Sequence, residues 1–188
     1  MTAPPISNEL VDWAHLCGFA VTPNSVTEAA LFASEPGGET RCYIRAAPNG
    51  GFTLTSTDRA SAEQFELHAT SMPTMERYLM GLFGYGYRSK HRLQRLRPLR
   101  DLNELAAGYK IVPGDPDGYW ELFNRSGELM ARALGKVSSI STFVRLSHLL
   151  ESSLSDIRRS YESSDGSPLF TVVPTDGTAS RRPSVARE

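Results

Sequence analysis

The run Pro48-Asn49-Gly50-Gly51, set between two stretches of strand composition, constrains this chain more than any other feature. Asn-Gly tolerates the positive φ that a tight reversal demands, so Cys42 to Ala46 and Phe52 to Ser56 are expected to pair as a hairpin. Gln64 to His68 sets Phe65 and Leu67 against polar neighbours and adds a strand to the same meander. Ala29 to Ala33 is a short apolar run before it, followed by a turn at Glu35 to Glu39. Ahead of this sheet, Ser7 caps a helix from Asn8 whose apolar stripe is Leu10, Trp13, Ala14 and Cys17, with Gly18 as its stop.

The second half repeats the order but not the residues. Ser71 caps a helix with Pro73 in its first turn, where the missing N–H costs nothing. Met72, Met75, Leu79, Leu82 and Phe83 form its stripe, and Gly84 is expected to end it. Tyr85 to Arg100 is basic and has no clean period. Tyr109 to Val112 predicts a strand, and Trp120 to Phe123 with Glu128 to Leu134 flank Asn124-Arg125-Ser126-Gly127 as a second hairpin. Helices are expected over Ile140 to Leu150 and from about Ser155. The fold class is therefore α+β: antiparallel sheet, in one piece or two, packed against several helices, with a hint of two similar halves.

A chain of 188 residues with 40% hydrophobic and 22% charged residues suits one globular domain, expected over residues 1–170. Residues 171–188 are rich in Ser, Thr, Pro and Arg and are expected to form a disordered tail. The 20 basic and 21 acidic residues leave a formal net charge of −1, without the basic surplus of a dedicated nucleic-acid binder. No cationic N-terminal region precedes an apolar stretch, and no run approaches the ~20 apolar residues of a membrane span. A cytoplasmic location without membrane contact is the expectation. Cys17 and Cys42 then read as buried free thiols rather than a bridge.

Motifs for catalysis are missing. No two of His15, His68, His91 and His148 have the spacing of a helical zinc pair, and there is no C-x-x-C knuckle. His148 and Glu151 lie three apart on a helix, a spacing open to a ligand pair, but a solvated polar face is the better reading of a single pair. The glycines of Gly81 to Gly86 follow a helix rather than open one, so they do not make a phosphate loop. No G-x-S-x-G elbow occurs. Asp115-Pro116-Asp117-Gly118 is first a turn sequence, although paired carboxylates also occur in glycosidases and metal sites. No metal and no cofactor is expected.

The densest charge feature is Arg88, Lys90, His91, Arg92, Arg95, Arg97 and Arg100, preceded by Tyr85 and Tyr87. It suits either an electropositive patch facing an acidic partner or a solvated connector whose leucines tuck onto the body.

The string Phe52 to Arg59, then Glu76 to Gly84, Arg88-Ser89-Lys90 and Leu93 to Arg97, resembles the actinobacterial immunity-protein family that includes the antitoxin of the tuberculosis necrotising toxin. Ile157 to Phe170, with Tyr161, Asp165-Gly166 and Pro168-Leu169-Phe170, is similar to that family's C-terminal stretch. The resemblance implies an antitoxin that binds a secreted, NAD-hydrolysing toxin domain, blocks its substrate site and performs no chemistry itself. Local inference places the toxin contacts on two protruding segments. One offers Tyr85, Tyr87, Arg88, Lys90 and Arg92; the other offers Asp115, Asp117 and Tyr119. Two alternatives stand beside this: a secretion-associated chaperone or adaptor, and an enzyme assembled from scattered residues such as Asp58, Arg59 and His68.

Overall fold

A computed structural model describes residues 4–59, 61–114 and 118–173. Helix α1 (Asn8–Leu16) opens the fold, with the Ser7 hydroxyl accepting from the Leu10 N–H as expected. Strands β1 (Phe19–Thr22), β2 (Ala30–Ser34), β3 (Thr40–Ala46), β4 (Phe52–Asp58) and β5 (Gln64–Ala69) follow as an antiparallel meander. After α2 (Met72–Lys90) come β6 (Lys110–Pro113), β7 (Tyr119–Phe123) and β8 (Leu129–Leu134), then α3 (Lys136–Leu150) and α4 (Leu154–Glu162).

The two meanders are one sheet. Strand order is β1-β2-β3-β4-β5-β8-β7-β6, and the seam is the antiparallel pairing of His68 with Arg132 and Ala69 with Ala131. Alternation sends Phe32, Ile44, Leu54, Leu67, Leu122 and Ala131 to one face, where they are fully buried with Trp13, Met75, Leu79 and Phe143 of the helices. Tyr43, Arg45, Thr53, Phe65, His68 and Arg132 fall on the other face and stay half exposed. Strand β1 was not expected from the sequence: four residues directly after a helix stop give too short a pattern to read.

Helix α2 corrects one expectation. It does not end at Gly84 but runs six residues further, to Lys90. Glycine stops a helix where the chain must turn left-handed, whereas Gly81 and Gly84 keep helical backbone and serve packing instead. A Cβ on Gly84 would lie 2.3 Å from Cγ of Tyr161, and one on Gly81 would lie 2.7 Å from Cδ1 of Leu149. These two glycines let α4 and α3 approach α2. On its other flank the Trp13 indole N–H donates to the Met80 carbonyl at 3.0 Å, and Glu76 accepts from the Ser7 N–H at 2.6 Å, fixing α1.

Ordered pairing also passes the 170 boundary. Leu96 and Val172 form an antiparallel bridge, with Arg97 N–H donating to Thr171 O at 2.7 Å and Val173 N–H to Arg95 O at 2.8 Å. The remainder of the expected tail, residues 174–188, lies outside the described residues. Both cysteines are free and buried, and burial pushes each thiol up to about 12. Among the described residues no helix is long and apolar enough to cross a membrane, and no cluster of three His, Cys, Asp or Glu side chains could hold a metal. His148 spends its Nε2 on the Glu104 carbonyl, 2.7 Å away, and Glu151 faces Arg125 at 3.5 Å.

Candidate protein-binding surfaces

Because α2 continues past Gly84, the aromatic and basic residues expected in a loose segment sit on a helix and face different ways. Tyr85 is exposed at its rim, edge-on to Tyr161 and 5.3 Å below the Arg145 guanidinium. Tyr87 packs on Trp13 and stacks on His91, with ring centroids 5.1 and 4.1 Å apart, so only part of its ring reaches solvent. Lys90 and Arg92 are exposed.

Arg88 departs from the expectation. It is only 3% exposed, and its guanidinium donates to the carbonyls of Gln94, Tyr161, Ser163 and Ser164. A guanidinium has five donors in a fixed fork, and here they tie the connector after α2 to the chain leaving α4. Arg88 is thus a structural staple whose guanidinium is spent inside the fold. Sequence could not separate it from its basic neighbours, since the distinction depends on which carbonyls the tertiary fold brings to it.

The connector is anchored again further along. Arg97 pairs with Glu104 at 2.5 Å, and that carboxylate also accepts the N–H groups of Arg100 and Asp101, which hold it down at about 2. Between α2 and this strap lies a groove of about 820 Å³, lined by Tyr85, Arg92, Arg95 and Arg100 over Leu93 and Leu96. A recess of about 230 Å³ adjoins it at Tyr85 and Arg100 and is closed by Ser141, Thr142 and Arg145.

The second expected segment emerges at the β6–β7 hairpin. Asp115 and Asp117 lie outside the described residues. Tyr119 sits at the hairpin's base, where its carbonyl accepts from Gly114 N–H, and its ring meets Phe65 edge-on at 5.6 Å. Together with Thr53, His68 and Arg132 these rings line a shallow recess of about 280 Å³ on the open sheet face. Arg132 pairs with Glu121 at 2.7 Å. Burial, and then the Arg132 charge, hold His68 below the usual imidazole range. Period-two alternation places Phe65 with Leu67, on the face opposite His68. The register shift between Leu54 and Thr55 turns Phe65 to the His68 side, and their neighbours come from β7 and β8, across a seam no local pattern announces.

The scattered-residue enzyme gains nothing from this arrangement. His68 pairs across from Thr53 and Asp58 lies five residues along the same strand, about 17 Å away at the rise of extended chain. Arg59 engages Glu39.

Comparison with known proteins gives a consistent answer. The family profile described as Immunity protein 61 matches residues 13–169. The curated protein "Immunity factor for TNT" of Mycobacterium tuberculosis (strain ATCC 25618 / H37Rv) is 33% identical over 171 residues, covering 89% of this chain and 93% of its own length. Its homologue in Mycobacterium bovis (strain BCG / Pasteur 1173P2) matches to the same extent. The solved structure of Rv3902c from M. tuberculosis superposes with a TM-score of 0.80 at 32% identity, covering 89% of this chain and 94% of that one.

Proposed function

Because this chain belongs to the Immunity protein 61 family, we propose that it is the immunity factor for a toxin domain of the TNT type. The observation that carries this reading is the extent of the likeness, at one-third identity over nearly the whole of both chains and the same fold. The partner is a protein, and the chain acts by occupying the toxin's substrate site in the cytoplasm, without chemistry, cofactor or nucleic acid of its own. The toxin it restrains hydrolyses NAD. A stable inhibitory complex of this kind buries roughly 1,600 Å² around a few central anchors. Exposed Tyr85, Lys90 and Arg92, the accessible part of Tyr87, and the β6–β7 hairpin with Asp115, Asp117 and Tyr119 are the proposed contacts. Arg88 is left out because its guanidinium is spent internally.

Co-expression tests the reading in cells. Bacteria making the cognate toxin domain should stop growing, and this chain supplied in trans should restore growth and intracellular NAD. Continued arrest with the chain present at equal abundance would count against the assignment.

A further inference from the structure

The arginines around the groove lack counter-charges. Arg97 has Glu104 and Arg88 has its carbonyls, but Arg92, Arg95, Arg100 and Arg145 have no carboxylate within ion-pair distance among the described residues. Four cations converge here on a protein whose formal net charge is −1. Self-repulsion in such a cluster is relieved when a negative ligand arrives.

The groove is also built rather than incidental. Its outer wall is the connector, held at one end by the Arg88 side chain on Gln94 O at 2.8 Å and in the middle by the pairing of Arg95 and Arg97 with Thr171 and Val173. Leu96 is 4% exposed and roots that wall in the core. Arg95 and Arg100 therefore project from a fixed backbone, which lowers the ordering cost of binding. The last carbonyls of α2 accept from the N–H groups of His91, Arg92 and Leu93, so the arginine side chains set the sign of the site.

Building on the immunity reading, we propose that this groove receives an acidic segment of the toxin domain, with carboxylates on Arg92, Arg95, Arg100 and Arg145 and an apolar side chain on the floor between them. The floor of Leu93, Leu96, Pro98 and Val173 favours a peptide over a bare phosphate, which would gain nothing from apolar surface. The chain's own continuation is a poor occupant. Residues 174–188 carry Arg181, Arg182 and Arg187 against Asp176 and Glu188, the wrong sign for this surface. Such a contact steers association and selects partners by charge, so it gives the immunity factor discrimination among toxin domains with equivalent catalytic clefts.

The test is the association rate of the purified cognate toxin domain, followed at low and at physiological salt, with wild type, Arg95→Glu/Arg100→Glu and Arg41→Glu. Arg95 and Arg100 make no side-chain hydrogen bond among the described residues, so the double variant should fold, which circular dichroism checks. The expected result is association slowed about tenfold or more at low salt, with most of the salt dependence gone. Arg41→Glu, exposed on β3 on the sheet face opposite the helices, should change neither. A double variant that associates like wild type, or one matched by Arg41→Glu, overturns the groove proposal while leaving the immunity reading intact. Absence of any complex with wild type overturns both.

Discussion

Gly84 and Gly86 stand two residues apart in α2, yet alanine at each should have opposite consequences. At Gly84 the new methyl would enter the ring of fully buried Tyr161, whereas at Gly86 its nearest neighbour is the Cys17 carbonyl at 3.8 Å. Gly84→Ala should lower the unfolding free energy by about 1–3 kcal/mol, the usual range for an overpacked core. Gly86→Ala should be neutral or stabilising by up to about 1 kcal/mol, because alanine favours helix. Urea unfolding of the two variants decides, and equal losses would refute the packing role given to Gly84. His68 belongs to the same scale. Its folded-state pKa lies below its unfolded value of about 6.5, so the unfolded chain takes up the proton first as pH falls. The stabilisation is complete above about pH 6.5 and is lost as pH drops through the lower folded value. Urea midpoints measured from neutral to mildly acidic pH should fall less steeply in His68→Gln than in wild type; parallel curves would contradict this.

At the scale of elements, the connector between α2 and β6 depends on one side chain. Arg88→Met should keep the aliphatic packing but leave several carbonyls without their donor, lowering stability by about 2–3 kcal/mol. If Arg88 were instead a partner contact, its loss would weaken toxin binding at unchanged unfolding free energy, so the two measurements together assign its role. The same connector explains what the sequence could and could not convey. Hairpins with Asn49-Gly50 and Ser126-Gly127 at their turns, and helices capped by Ser7 and Ser71, are written in a few adjacent residues. The extension of α2 through Gly84 is not, because a glycine that admits Tyr161 looks locally like a glycine that stops a helix. The burial of Arg88 and the anchoring of Thr171 to Val173 follow from contacts more than 70 residues apart in the chain.

Across the whole molecule, the β5–β8 seam turns two meanders into one eight-stranded sheet with its helices on one face. That architecture holds strands β6 and β7 and the α2–connector groove on one body. The resemblance legible from Phe52 to Arg97 and from Ile157 to Phe170 named the family that the comparison over residues 13–169 identifies. It could not supply the residues that line the groove, which depend on how α2, α3 and the connector come together. The most direct test of the central claim is NAD hydrolysis by the purified cognate toxin domain, titrated with this protein. The account predicts activity falling linearly to zero at one equivalent, with a 1:1 complex by gel filtration. Full activity at several equivalents, with no complex, would contradict it.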